Sequence, residues 1–263
     1  MVKKLAVLNF LSVILTLFIN YLAQQRVFNA TTIGEVSEKY SNLFIPAGYA
    51  FSIWILIYIG LFASTIFMLQ QAFSKGKHQG FIKKTNFWFI IANVGNCLWV
   101  LAWCYEFIGM SVILMLLILM KLIKIILNTR MEKRNAPFPV IAFYWWPICL
   151  YSGWISVAFI ANVASWLKEI NWQVILLSEV NWTILMTFAA TILNLVMVYA
   201  RNMREFALVG VWALIAIFIR HYDAQELIAY SALAGAILIF LNISYHGFIN
   251  RKSNPLYKIV HSN

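Results

Sequence analysis

The chain has 263 residues, a formal net charge of +11, 63% hydrophobic and only 11% charged residues, and a mean hydropathy of +0.80. A water-soluble domain of this length has no use for so much apolar sequence, and the apolar residues fall in runs long enough to cross about 30 Å of hydrocarbon at about 1.5 Å per helical residue. Continuous blocks in place of short alternating segments exclude a β-barrel, and what remains is an all-α polytopic membrane protein.

Helices are expected at 5–23, 49–71, 86–105, 108–127, 139–163, 178–199, 205–220 and 225–246. The first follows Lys3 and Lys4 as a signal peptide would. The run is long, however, no Ala-x-Ala follows, and Asn20, Tyr21 and Gln24 to Arg26 occupy the cleavage region, so it is read as a membrane span. The connection 24–48 is unusually long between packed elements, which suggests that it covers something; its Asn29-Ala-Thr31 is a glycosylation triplet of the kind that recurs by chance.

The second helix opens on IPAGYAFSIWILIY. Phe51, Trp54 and Tyr58 share one face, and Pro46 and Gly48 just before it give a shaped entrance. The third helix puts Asn93, Asn96, Trp99 and Trp103 at intervals of three and four, and a tight hairpin near Tyr105 to Phe107 leads into the fourth. On the fifth, Pro147, Tyr151, Trp154, Ala158 and Asn162 share a face. Pro147 has no backbone donor, so it should kink the helix and free the carbonyl near Phe143 for a helper group or ligand. The sixth helix carries Thr183, Thr187, Thr191 and Asn194 and the eighth Ser231, Ala232 and Gly235, both read as close-packing surfaces. Residues 205–220 span only about 24 Å as a helix, so the seventh must be nearly perpendicular, extended toward Tyr222, or partly interfacial.

Eight spans with both termini on one side put all of the twenty basic residues there except Arg26, Lys39, Lys168 and Arg220. Seven of the nine acids, Glu35, Glu38, Glu106, Glu169, Glu179, Asp223 and Glu226, fall opposite. The positive-inside rule makes the basic side cytoplasmic, as for a bacterial inner-membrane protein. The positive charge then meets anionic lipid and sets topology, and no nucleic-acid partner is expected.

Asparagine in hydrocarbon rarely faces lipid, so Asn93, Asn96 and Asn162 should face protein, water or ligand. Spacing alone leaves the deep stripe of Trp54, Tyr58, Trp99, Tyr151 and Trp154 divided between helix packing and pocket lining, and leaves the asparagines as interhelical glue or ligand contacts. Trp88, Trp166, Trp172 and Trp182 read as interfacial anchors. Cys97, Cys104 and Cys149 sit inside helices with no metal or disulfide spacing. The isolated histidines and the rim acids Glu106, Glu179 and Asp223 read as solvated groups. No carboxylate pair within a span, zinc cluster, nucleophile elbow or phosphate loop appears, so no metal or cofactor is required and no self-sufficient catalytic set is visible.

In their order, Pro46, Trp54 and Tyr58, then Asn96 and Trp99, then Tyr151, Trp154, Ala158 and Asn162 resemble the motifs of the TspO/MBR family, the tryptophan-rich sensory proteins and mitochondrial translocator proteins. Ala47 stands where the family often has a second proline, and Phe51 is one place nearer the tryptophan. The resemblance covers roughly residues 1–165, the family's five-helix bundle, and leaves 166–263 as three further helices and a short tail. It implies a pocket among the first five helices, closed by the long first loop, for a planar hydrophobic ligand such as a porphyrin, haem or sterol-like compound. In that reading Trp54, Trp99 and Trp154 supply stacking or walls, Tyr58, Tyr151, Asn96 and Asn162 orient polar edges, Pro46 with Gly48 shapes the entrance, and Phe51 and Trp103 are further ligand-binding residues. Sensing, transport and porphyrin breakdown are the roles the family suggests. The competing readings are a secondary transporter of a small amphipathic solute and a structural protein whose last helices form a homo-oligomer or partner interface.

Overall fold

The computed structural model describes residues 1–74, 78–133, 136–172 and 178–251. Among them it is all helical, with eight helices of 17 residues or more where the periodicity puts them. These are α1 (Val2–Gln24), α3 (Ile53–Phe73), α5 (Trp88–Cys104), α6 (Ile108–Thr129), α8 (Trp146–Glu169), α9 (Glu179–Arg201), α10 (Arg204–His221) and α11 (Glu226–Ile249). Three short helices join them: α2 (Ile33–Lys39), α4 (Gly80–Thr85) and α7 (Phe138–Val140). Six spans are long and apolar enough to cross a membrane by length and composition, α1, Gly48–Phe73, α6, Phe138–Glu169, α9 and α11. The other two are shorter: α5 has 17 residues and α10 has 18, about 25 and 27 Å at the helical rise. Large apolar side chains such as Ile55, Ile59, Ile113, Phe188 and Leu241 stand exposed on the outer faces, as expected of surfaces that meet lipid.

The loop 24–48 is not structureless. Thr32 and Glu35 form a reciprocal capping box: the Thr32 hydroxyl accepts from the Glu35 N–H at 3.2 Å and the Glu35 carboxylate accepts from the Thr32 N–H at 2.9 Å. That pairing satisfies two end donors and starts α2. A turn of 3-10 helix, Gly48–Ser52, then leads into α3.

Pro147 acts as its chemistry requires. A π-helical turn, Ile141–Trp145, precedes it, and the carbonyl of Phe143, which has no donor at Pro147, accepts from the Ser64 hydroxyl at 2.5 Å. The helper group is thus supplied by α3, and Gly60 on that helix lets the proline ring approach: a Cβ there would lie 3.2 Å from Pro147 Cβ. The fifth expected span accordingly runs farther than 139–163, from Phe138 to Glu169.

α1 packs on α3 and α5, α5 on α6, and α6 and α3 on α8; α10 packs on α8, α9 and α11. α8 is therefore the shared wall, with 67% of its apolar window buried against 33–39% for the other long spans. Small residues set the close contacts among α8, α9, α10 and α11. A Cβ on Gly153 would come within 2.8 Å of the Phe206 carbonyl, one on Gly210 within 2.4 Å of the Asn194 amide, and one on Gly235 within 2.6 Å of Thr191 Oγ1. Thr183, Thr187, Thr191 and Asn194 each donate to the carbonyl four residues earlier, so these donors are satisfied within the helix while its face packs; the buried Asn194 Oδ1 has no partner. Trp166 lies against Gly109, its indole nitrogen 3.0 Å from where a Cβ would stand, so it packs at the α6–α8 contact near the end of both helices.

Candidate functional site

A cavity of about 50 Å³ lies between α2, the start of α3, α5, α6 and α8. Pro46, Phe51, Trp54, Trp99, Trp103, Trp154 and Asn162 all line it, with Ile33, Met115, Val157, Ala158 and Ala161 filling in. Three sequence stripes therefore meet at one void. The rings hold one another by edge and face contacts of the kind aromatic quadrupoles favour: Trp54 and Trp154 meet edge-on at 6.4 Å, Phe51 and Trp154 at 5.9 Å, and Trp99 stacks on Trp103 at 5.7 Å.

Asn162 is engaged by protein at both ends of its amide. Its Oδ1 accepts from Trp99 Nε1 at 2.9 Å and its Nδ2 donates to Ser111 Oγ at 2.8 Å. It fixes the Trp99 wall from α8, and Trp103 Nε1 donates in turn to the Ile33 carbonyl of α2 at 3.1 Å. Ser37 and Ser165 are the other polar side chains in the lining.

The remaining expected residues stand elsewhere. Gly48 and Tyr58 line a separate groove of about 850 Å³ along α1 and α3, which shares Ile33, Phe51 and Trp54 with the cavity. Tyr58 stacks on Trp54 at 5.1 Å. Tyr151 sits behind the wall, its ring 6.0 Å from that of Trp54. Asn96 does not reach the cavity surface: its Oδ1 accepts from Asn20 Nδ2 at 3.0 Å, between α5 and α1. The buried Tyr58 hydroxyl has no hydrogen-bond partner, and the Tyr151 hydroxyl lies beside the Asn96 amide.

Asn20 belongs to a polar ladder that the reading of α5 alone missed. Ser12 Oγ accepts from Asn93 Nδ2 at 3.0 Å, and Thr16 Oγ1 donates to the Ser12 carbonyl at 2.9 Å and lies 3.6 Å from Cys97 Sγ. Asn9 begins the same face, wholly buried with both amide atoms unpartnered. The signal was present, since Asn9, Ser12, Thr16 and Asn20 recur at helical spacing along α1.

The roof over the cavity is fastened on three sides. Toward α5, Lys39 pairs with Glu106, and Tyr40 Oη donates to the same carboxylate at 2.8 Å. These bonds hold the Glu106 carboxyl below its ordinary value, while burial and the Glu106 bond push the Tyr40 phenol up to about 12. Glu106 is thus a tether of the loop, where the sequence suggested a solvated rim.

Toward α8, Asn42 Nδ2 donates to Ser165 Oγ at 3.1 Å, and Lys168 binds the Ser41 carbonyl. α10 contributes most. Arg220 forks onto both oxygens of Glu38 at 3.1 and 3.0 Å and also donates to Ser41 Oγ at 2.8 Å and the Pro46 carbonyl at 3.3 Å. His221 Nε2 lies 2.9 Å from the Leu43 carbonyl, and the Ala47 N–H donates to the Ala216 carbonyl at 3.1 Å.

Apolar spans around a tryptophan-walled void, roofed by a tethered loop, define an integral membrane protein with an aromatic-lined cavity. The sequence profile of the TSPO-like protein family matches residues 6–245, and the chain belongs to that family. The match takes in α9, α10 and α11, which the motif resemblance left unassigned. No curated protein and no solved structure matches the chain.

Proposed function

We propose that the protein is a membrane receptor or carrier that binds a planar hydrophobic ligand, of tetrapyrrole or sterol-like shape, at the tryptophan-walled cavity. The observation that supports this reading is the convergence of Phe51, Trp54, Trp99, Trp103 and Trp154 from three helices on one void beneath the fastened loop. Aromatic faces stack on a flat apolar ligand, and few polar groups are needed to orient it.

At about 50 Å³ the cavity admits only an edge or substituent of such a ligand. The groove beyond Phe51 and Trp54 is about 850 Å³. Rotation of these two rings joins the two spaces, so the ligand body lies against α1 and α3 and its edge reaches Trp99 and Trp154. Tyr58 and Gly48 then contact the ligand in the groove. In this reading Asn162 holds Trp99 in place, and the charge distribution supports an inner membrane with both termini cytoplasmic.

Titration of the purified full chain with protoporphyrin IX, followed by quenching of tryptophan fluorescence, tests the proposal. Ala158→Leu fills the cavity from α8 and is expected to weaken binding by about tenfold or more, equivalent to about 1.4 kcal/mol. Equal affinity in this variant and in Trp54→Ala would exclude the cavity and its groove as the binding site.

A further inference from the structure

Away from the aromatic cavity, at the end of the bundle where α6 finishes and α10 begins, three potential metal ligands meet from three parts of the chain. Glu132 lies in the turn after α6, Cys149 in the first turn of α8, and Glu205 is the second residue of α10. One ligand atom from each lies within 4.8 Å of the other two. Glu132 and Glu205 are also the two acids that fall on the basic side of the charge partition.

Two half-buried carboxyls beside a buried thiol are unfavourable unless something positive compensates them. Arg204 supplies part of that charge to both carboxyls and Trp146 bonds Glu205, yet one oxygen of each carboxyl is left over. Glu132 Oε1 and Glu205 Oε2 are both out of solvent and without a hydrogen-bond partner, and Cys149 is 0% exposed. Among the described residues neither carboxylate forms an ion pair. Of the neighbouring cations, Arg201 Nη2 donates to the Ile126 carbonyl at 3.2 Å, and Arg204 Nη1 lies against Gly247 of α11.

The turn that presents Glu132 is itself held. Its φ is +58°, in the left-handed region, and Asn202 Nδ2 donates to its carbonyl at 3.1 Å. Such strain persists where the surroundings fix the backbone, and here they aim an acid at the α8–α10 contact.

The structure assigns Glu132, Cys149 and Glu205 as a binding site for one borderline divalent cation of the zinc, cobalt or ferrous type. The thiolate selects against magnesium and calcium, which take oxygen ligands, and two carboxylates with one thiolate match the donor set of a zinc-type ion. Metal–ligand bonds of about 2.0–2.3 Å require the three atoms to draw together by less than about 2 Å, which side-chain rotation supplies. Met131, wholly buried with its sulfur 3.9 Å from Cys149 Sγ, or a water stands at the fourth position. An ion here joins α6, α8 and α10, and so couples the first five long helices to the helix that fastens the roof of the cavity.

The test is a Co2+ titration of the chelator-treated full chain in detergent, read as the thiolate-to-cobalt absorption band, with Zn2+ and Mg2+ as competitors. One cobalt per chain is expected, displaced by Zn2+ and not by equimolar Mg2+. Cys149→Ala should abolish the band. The near-isosteric Glu132→Gln and Glu205→Gln should each weaken affinity by at least about tenfold, the low end of what even outer-shell changes cost. Thermal unfolding gives a second reading: Zn2+ should raise Tm in the wild-type chain and not in the variants. No band at millimolar Co2+, a band that survives Cys149→Ala and so belongs to Cys97 or Cys104, or equal affinity in both glutamine variants would overturn the assignment.

Discussion

Replacing Arg220 with Met keeps much of the aliphatic volume of the side chain and removes its charge and donors, which isolates what α10 contributes to the roof. Four bonds are lost: two to Glu38, one to Ser41 Oγ and one to the Pro46 carbonyl. Glu38 is 59% exposed and Arg220 20% exposed, so the ion pair is discounted for solvent to about 0.2–1 kcal/mol. The bonds to Ser41 and to buried Pro46 contribute about 0.5–1.5 kcal/mol each. Together the segment Val36 to Ala47 should be held about 1–4 kcal/mol less tightly, which raises its open population about tenfold even near the low end of that range. Asn42, Lys168, His221 and Ala47 still fasten it, so it loosens and does not unfold.

Hydrogen exchange reads this directly. Amides of Val36 to Ala47 should exchange about tenfold faster in Arg220→Met while α5 and α8 keep their protection, and a bound hydrophobe should leave faster by a similar factor. Unchanged exchange in this segment, with α10 still folded, would refute the role given to Arg220.

Asn162→Ala leaves the Trp99 N–H without its acceptor and Ser111 without its amide partner; a stability loss of about 1–3 kcal/mol is expected, measured by denaturant titration in mixed micelles, with a red shift of tryptophan emission. Gly210→Ala drives a methyl to 2.4 Å from the Asn194 side chain, so α10 must move from α9 at a cost of about 1–3 kcal/mol; a variant as stable as wild type would show that this contact is looser than described. The Glu106 carboxyl is depressed by its bonds to Lys39 and Tyr40, so its contribution to the roof is present above the ordinary value of 4.5 and lost as pH falls through the depressed one. Exchange of α2 amides should therefore stay flat from neutral pH to about 5 and rise at more acid pH, once corrected for intrinsic rates, and Glu106→Gln should remove that rise. Ser64→Ala strips the helper donor from the Phe143 carbonyl and should cost about 1 kcal/mol, seen as a lower Tm.

The spans and the aromatic faces were legible because each is a property of one helix. Phe51 with Trp54, Trp99 with Trp103, and Trp154 with Asn162 need only a period of 3.6 to be placed, and the rule that buried amides find partners says that they turn inward. What a helix faces is a property of two helices, and single-helix spacing is silent on it. That is why Asn96 reads as glue or, less readily, as ligand contact until Asn20 of α1 is found against it, and why Glu106 reads as a rim until Lys39 and Tyr40 close on it. The pairs Arg220 with Glu38 and Trp212 with Ala50 join residues 182 and 162 apart in the chain. They tie the last helices into the roof, which no motif in residues 1–165 discloses. The volume of the void depends on how closely the rings pack, and that too is set by neighbours.

The central claim is that planar hydrophobes bind where Phe51, Trp54 and Trp154 meet. It is tested most directly by photo-labelling the full chain in lipid with a photoactivatable, planar tetrapyrrole analogue and mapping the modified peptides. The account predicts label on the segments holding Pro46 to Tyr58 and Tyr151 to Asn162, suppressed by excess protoporphyrin IX and by Ala158→Leu. Label confined to the outer faces of α9 and α11, indifferent to competitor, would contradict it.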